Sequence, residues 1–179
     1  MPLANGVGSV ALAAAIATAA PPVPRDGQSD FDFVFGRWKI HNRRLQKPLS
    51  GSTTWYEFEG ASVARPIWGG KAHVDEYEAE SPSGRIQGMT VRLYDPQSKQ
   101  WTIYWANAAK GAFDVPMVGA FRDGVGAFYD QETYEGRAVY VRFLWTVQGK
   151  DACRWEQAFS ADGGTTWETN WIMEMTREP

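Results

Sequence analysis

Short strands separated by turn signals follow one another along most of this chain. After residue 36 no segment shows a convincing period near 3.6 residues, whereas many alternate between apolar and polar residues. Turn-forming groups such as Ser81–Gly84, Asp95–Ser98 and Asp123-Gly124 separate these segments. The pattern predicts roughly ten strands joined mainly by short turns, and therefore an all-β domain.

Local signals also set some of the strand boundaries and faces. Gly60 predicts a break before a short segment from Ser62 to Trp68, which Pro66 interrupts. After the Asp123-Gly124 turn, a strand is expected from Val125 to Asp130. On the last strand, alternation places Trp167, Thr169, Trp171, Met173 and Met175 on one face.

Consecutive strands with short connections form an antiparallel meander, which leaves two edge strands to protect. Closing the sheet on itself removes both edges. We therefore expect a single antiparallel up-and-down β-barrel of about 8–10 strands, entered through a short N-terminal helical turn. A barrel of this size leaves room for one small ligand. An open β-sandwich is the alternative architecture.

The opening strand supports this expectation. The segment Asp30–Phe35 is a short apolar and acidic turn that leads into Gly36-Arg37-Trp38. Side chains on a strand alternate between its faces, so Trp38 and Ile40 are expected to point together into a core. Gly36 suits a place where the backbone passes close to another strand.

The Gly36-x-Trp38 strand resembles the first strand of the calycin superfamily, the lipocalins and fatty-acid-binding proteins. Together with three other motifs, it makes the chain from Asp30 to Arg177 similar to an uncharacterised bacterial lipocalin-like family. Those motifs are Arg92–Pro96, Arg142–Trp145 and Trp155–Glu168. The resemblance implies a calycin-type barrel with Trp38 closing one end, often under an arginine of a late strand, and it implies no established activity. The chain departs from true lipocalins in lacking a disulfide and the later lipocalin motifs.

A further motif lies between the last two predicted strands. The sequence Ser160-x-Asp162-x-Gly164-x-Thr166-Trp167 resembles the Asp-box of sialidase propellers. A propeller needs one copy per blade, and this chain has a single copy. We interpret the motif as a hairpin turn capped by Asp162, with no catalytic role.

Three arginines, Arg44, Arg92 and Arg142, lie in the middle of strands among aromatic residues. An arginine in such a place needs a partner or a ligand. In fatty-acid-binding proteins a late-strand arginine and a tyrosine hold the ligand carboxylate, and Arg142 with Tyr140 is similar. We hypothesise that Arg142 points inward and meets either Glu156 or the ligand. The alternative is an outward arginine lying over aromatic rings. The candidate ligand-binding residues are Arg142, Tyr140, Arg92, Arg44, Trp55, Trp105 and Asn170.

No catalytic set can be assembled from the spacing of the polar residues. His73 and Asp75 share a strand face, but a metal site needs three or four ligands. The single cysteine, Cys153, excludes an internal disulfide and a cysteine-based zinc site, so we interpret it as a structural thiol. We predict no metal and no cofactor; haem ligation by His41 or His73 is the alternative.

These observations favour a protein that binds a small apolar or amphiphilic molecule, with or without an acid group, in the barrel cavity. Two alternatives stay open: an isomerase, cyclase or hydrolase that uses the same cavity, and a barrel filled by tryptophans that acts as an interaction module. The net charge of −3, with scattered Lys and Arg, excludes a nucleic-acid footprint. The oligomeric state is expected to be a monomer or a homodimer.

The N-terminal segment has its own composition. Val7–Ala20 is almost entirely small and apolar, too short to span a bilayer, and ends before Pro21-Pro22. This predicts a signal peptide over residues 1–20 without its usual basic start, a linker over 21–29 and one barrel domain over 30–179. The protein is then secreted or periplasmic, or cytoplasmic if the start is misassigned.

Overall fold

The computed structural model describes residues 26–179, so the predicted signal peptide and the first part of the linker lie outside the described residues. Two single 3₁₀ turns occur, at Asp32–Val34 and Trp68–Gly70. The strands are β1 (Gly36–Leu45), β2 (Trp55–Ile67), β3 (Ala72–Ser81), β4 (Gly84–Asp95), β5 (Gln100–Asn107), β6 (Ala112–Phe113), β7 (Met117–Arg122), β8 (Val125–Tyr134), β9 (Arg137–Val147), β10 (Ala152–Ser160) and β11 (Glu168–Arg177).

Ten of these strands form one closed antiparallel barrel in up-and-down order. Each strand pairs with the next along the chain, except that β5 pairs with β7 and the two-residue β6 lies beside β5. The seam is the pairing of β1 with β11, where Trp38 lies opposite Arg177 and Arg44 opposite Trp171. The predicted closed barrel is therefore confirmed, and the open sandwich is wrong.

One predicted boundary is wrong. The sequence places a break at Gly60 and a separate short segment from Ser62, but β2 runs through both as a single strand. Gly60 pairs with Ile40 on one side and Ala79 on the other. A Cβ atom at Gly60 would lie 3.0 Å from the Cβ of Ala79 and 3.0 Å from the carbonyl oxygen of Glu78. The glycine thus allows close packing inside a strand.

The N-terminal turn closes one end of the barrel, which we call the floor. Phe31 is fully buried there, with ring centroids 5.4 Å from Trp101, 5.4 Å from Phe128 and 5.7 Å from Trp145. The indole N–H of Trp101 donates to the carbonyl oxygen of Gly27 at 2.9 Å. This aromatic packing, edge-to-face with Trp101 and Trp145 and stacked with Phe128, fixes the turn against the three strands β5, β8 and β9.

Trp38 joins the floor to the seam. Its side chain is fully buried and its indole N–H donates to the carbonyl oxygen of Val34 at 2.8 Å. The guanidinium of Arg177 lies 4.3 Å from the Trp38 ring centroid and donates to the carbonyl oxygens of Phe33 and Phe35. The expected burial of Trp38 beneath an arginine of the last strand is observed. Gly36 has φ +104°, and a Cβ there would meet the Arg177 guanidinium at 3.0 Å.

The hairpin between β10 and β11 is held by Asp162. Its carboxylate accepts hydrogen bonds from the Thr166 N–H at 2.9 Å, the Thr166 hydroxyl at 2.6 Å and the Ser160 hydroxyl at 2.7 Å. These bonds, led by the one from the Thr166 hydroxyl, lower the pKa of Asp162 to about 2. The carboxylate therefore stays ionised and its hydrogen bonds are used within the turn.

Replacing Trp38 should weaken the fold strongly. Trp38→Ala removes a fully buried ring and leaves a cavity at the seam, so the free energy of unfolding should fall by about 3–5 kcal/mol. The control is Trp68→Ala, because Trp68 is 73% exposed and its loss should change stability by no more than about 0.5 kcal/mol. Urea unfolding of both variants measures the difference; equal losses would contradict this account of the seam.

Replacing Asp162 should loosen the last hairpin. Asp162→Ala leaves the Thr166 N–H and hydroxyl without their acceptor, so the melting temperature should fall by roughly a few degrees. Ala161→Ser, an exposed change in the same turn, is the matched control. Melting curves that coincide for the two variants would show that the carboxylate does not hold the turn.

Candidate functional site

A cavity of about 620 Å³ occupies the barrel above the floor. Because side chains alternate along each strand, one face of every barrel strand contributes to its wall. The apolar part of the wall is formed mainly by aromatic and methionine side chains: Trp105, Phe143, Trp145, Trp155, Trp171, Met117, Met173 and Met175. Cavities of this size and composition are typical of small-molecule sites.

Arg44 is the cationic group on the β1 side of this wall. Its guanidinium lies 4.6 Å from the ring centroid of Trp171. Trp171 is itself fixed, because its indole N–H donates to Asn42 Oδ1 at 3.0 Å and the Tyr77 hydroxyl donates to the same oxygen at 2.9 Å. Among the described residues, no carboxylate lies within ion-pairing distance of Arg44.

Arg92 is different, because its charge is neutralised by a neighbouring strand. It forms an ion pair with Asp75 at 2.7 Å, and its side chain is only 3% exposed. The guanidinium also lies 5.0 Å from the ring centroid of Phe31 and 5.4 Å from that of Trp145. Arg92 lines the lower cavity, but this pairing makes it part of the barrel floor.

His73 lies opposite Arg92 in the β3–β4 pairing and is fully buried. Its ring centroid is 4.6 Å from those of Phe35 and Trp101. Burial, and then the positive charge of Arg92, lower the pKa of His73 to about 4. The imidazole is therefore neutral at neutral pH and packs as one more ring of the aromatic floor.

Two carboxyl groups lie on the β8 side of the cavity. Asp130 and Glu132 are two residues apart on one strand, so both point to the same face and line the cavity. Lys110 and Asp114, from the loop between β5 and β7, form an ion pair and line the cavity too. Burial, and then the charge of Glu132, raise the pKa of Asp130 to about 8. Burial and the charge of Asp114 raise the pKa of Glu132. The pair therefore holds a proton near neutral pH.

Three of the predicted ligand-binding residues line the cavity: Arg44, Arg92 and Trp105. The other four do not. Trp55 lies beneath the guanidinium of Arg43, at 5.4 Å. Asn170 is 2% exposed and accepts a hydrogen bond at 2.8 Å from Gln157, which does line the cavity.

The expected orientation of Arg142 and Tyr140 is wrong. The guanidinium of Arg142 lies 4.5 Å from the Trp167 ring centroid, on the outer surface, and Tyr140 is 41% exposed. The opposite face of β9 carries Val141, Phe143 and Trp145, and this apolar face lines the cavity. Burying that face removes far more apolar surface from water than burying the Arg142 face would.

The proposed Glu156 partner is also wrong. Arg142 lies opposite Ala158 on β10, whereas Glu156 forms an ion pair with Arg154 on its own strand. Arg142 is instead held by the Trp167 ring. This is the outward alternative that the sequence left open.

The carboxyl groups were missed because the sequence suggested that β8 ends at Asp130. The strand continues to Tyr134, which carries Phe128, Asp130, Glu132 and Tyr134 onto one face. The carboxyl pair could have been predicted from the alternation along β8, in which two acidic residues follow the inward Phe128 on the same face. Like charges on one strand face are unfavourable unless something compensates for them.

Residues 26–179 contain no group of three or more His, Cys, Asp and Glu side chains arranged to hold a metal ion. Over the same range, no helix is long and apolar enough to cross a membrane.

Cys153 is buried beside the Met175 sulfur at 3.6 Å, and burial raises the pKa of its thiol to about 12. These features agree with a structural thiol.

Comparison with known proteins identifies the class of fold. No protein-family model and no curated protein matches the chain. Among solved structures, the S-type phycobiliprotein lyase CPES from Guillardia theta matches with a TM-score of 0.57, covering 85% of this chain and 92% of that chain at 12% identity. An identity this low shows the fold alone. Together with the closed ten-strand sheet, it supports a lipocalin-like β-barrel fold.

The buried histidine should make stability depend on pH. The folded pKa of His73 is lowered, so its contribution is complete above the unfolded value of 6.5 and is lost as pH falls towards 4. Wild type should therefore lose about 1 kcal/mol per pH unit more than His73→Phe between pH 6.5 and pH 4.5. Urea unfolding along this series compares the two slopes, so a change in packing does not obscure the result. Parallel slopes would contradict a neutral His73 in the floor.

Proposed function

We propose that this protein binds a small, partly apolar molecule inside its barrel. The observation that carries this proposal is the cavity of about 620 Å³, whose wall combines several aromatic and methionine side chains with a few polar groups. Burial of an apolar ligand body against such a wall contributes roughly 25 cal/mol for each Å² removed from water. The fold shared with a phycobiliprotein lyase is compatible with ligand binding in the barrel.

Arg44 is the anchor that we propose for an acid group of the ligand. The charge of Arg92 is balanced by Asp75, and Arg142 lies on the outer surface. Arg44 lines the cavity, and among the described residues its guanidinium has an aromatic neighbour but no carboxylate partner. Its position on Trp171 limits its motion, so a ligand carboxylate could form charge-assisted hydrogen bonds at a small entropic cost.

Trp171 supports this anchor from behind. The Asn42 side-chain oxygen accepts hydrogen bonds from both Trp171 and Tyr77, which fixes the indole ring on which Arg44 lies. Burial raises the pKa of Tyr77 strongly, so its hydroxyl stays protonated and keeps donating to Asn42. The network therefore positions the guanidinium without neutralising it.

The test is calorimetric titration with decanoic acid and its methyl ester. The acid should bind wild type more tightly than the ester by roughly tenfold or more, because hydrogen bonds to charged groups contribute about 1.5–3 kcal/mol. Arg44→Met should remove this difference. Arg142→Met is the matched control and should keep it, since Arg142 lies outside the cavity.

Two results would count against the proposal in different ways. Equal affinities for acid and ester, unchanged in Arg44→Met, would reject Arg44 as the anchor and leave a purely apolar cavity. Binding of neither compound would reject ligand binding by this cavity and favour an interaction module.

A further inference from the structure

We propose that the ligand also carries a basic nitrogen, which the Asp130 and Glu132 carboxyl groups bind on the β8 wall. This inference rests on the proposed binding function, because it concerns the chemistry of the molecule held in the same cavity. It would make the ligand amphoteric, with an acid group on one side and an amine on the other.

The first observation is the local balance of charge. The cavity-lining residues on this side include one ammonium group, that of Lys110, and three carboxyl groups: Asp130, Glu132 and Asp114. Lys110 already forms an ion pair with Asp114. The remaining two carboxyl groups are partly buried side by side, and a proton compensates for their repulsion. A ligand ammonium in the same place would replace that proton.

The residues facing Asp130 do not compensate for its charge. Asp130 pairs across the sheet with Val141 on β9, and Met117 on β7 is another apolar part of the wall. The charged groups that act on it are Glu132 and Asp114, both of them acidic. One Asp130 oxygen, Oδ1, is buried without a hydrogen-bond partner among residues 26–179.

A second observation concerns Trp145, on a different strand. Trp145 lines the same cavity and is only 6% exposed, and its indole N–H has no hydrogen-bond partner among the described residues. Buried donors of this kind are normally paired, so this N–H favours an acceptor atom of the ligand and leaves the ammonium to the two carboxyl groups. Phe143 and Trp155 also line the cavity and offer aromatic faces, which attract organic cations, whereas the Trp145 ring already has the Arg92 guanidinium 5.4 Å from its centroid.

The barrel places the two kinds of charge on opposite sides. Along the closed sheet, β1 and β8 are separated by β9, β10 and β11 in one direction and by β2, β3, β4, β5 and β7 in the other. Arg44 on β1 and the carboxyl pair on β8 therefore face each other across the cavity. A ligand that spans the cavity would meet a cation at one wall and carboxylates at the other.

Binding of a cation to this pair should depend on pH in a defined direction. A ligand ammonium binds best when both carboxyl groups are ionised, so binding should strengthen as pH rises through about 8. A primary amine stays charged over this range, since its pKa is about 10. A neutral alcohol of the same length should show no such change.

The experiment compares decylamine with 1-decanol by calorimetry at pH 6.5 and pH 9, on the full chain. Decylamine should bind wild type at least about tenfold more tightly than decanol at pH 9, and this advantage should fall about tenfold at pH 6.5. Asp130→Asn and Glu132→Gln should each reduce the advantage. Glu135→Gln, in the exposed turn after β8, is the matched control and should preserve it. Melting curves check that each variant is folded.

The outcomes separate this inference from the proposed function. If decanol and decanoic acid bind but decylamine binds no better than decanol, the carboxyl pair is not a cation site, although the cavity still binds ligands. An amine advantage that survives in both Asp130→Asn and Glu132→Gln overturns the inference too. If none of the three compounds binds, the proposed function fails and the inference fails with it.

Discussion

The architecture depends on the contact between Arg177 and Trp38. The guanidinium of Arg177 lies on the Trp38 indole ring and donates to the carbonyl oxygens of Phe33 and Phe35. The last strand therefore contacts both the first strand and the turn before it. Trp38 and Arg177 are also opposite each other in the β1–β11 pairing that closes the barrel. The Arg177–Trp38 contact thus links the two ends of the domain at the strand pairing that closes the sheet, and it holds the N-terminal turn at the floor.

The charged and titratable groups inside the barrel form two sets, one at the floor and one higher on the cavity wall. At the floor no net charge is left unbalanced, because Arg92 is paired with Asp75 and His73 is neutral. Those higher on the wall are not balanced in the same way. Among residues 26–179, Arg44 has an aromatic neighbour and no carboxylate partner, and the Asp130–Glu132 pair has an excess of negative charge. Burying a charged group without a partner is unfavourable in free energy. Unbalanced charged groups on a cavity wall are therefore the groups that a polar ligand would bind.

Alternation along the strands was enough to predict the barrel and the inward direction of Trp38, and the motif around Asp162 was enough to predict the last turn, because these depend on local patterns. It was also enough to predict that Trp171, Met173 and Met175 share a face, and all three line the cavity. It could not choose the inner face of β9, where Arg142 and Tyr140 alternate with Val141 and Phe143. Arg142 finds its aromatic partner in Trp167, a hairpin residue 25 positions away, and a contact of that range has no signature in strand spacing. Gly60 is a similar case. The sequence alone does not distinguish a strand break from close packing there, because the close packing involves residues of the neighbouring strand.

The central claim, that the ligand occupies the barrel interior, can be tested with the tryptophan indole N–H signals in a ¹H–¹⁵N NMR spectrum. Titration with decanoic acid should shift the signals of the cavity-lining Trp105, Trp145, Trp155 and Trp171. The signals of Trp68 and Trp167, which do not line the cavity, should stay in place. Shifts confined to Trp68 and Trp167, or no shifts at saturating ligand, would contradict binding inside the barrel.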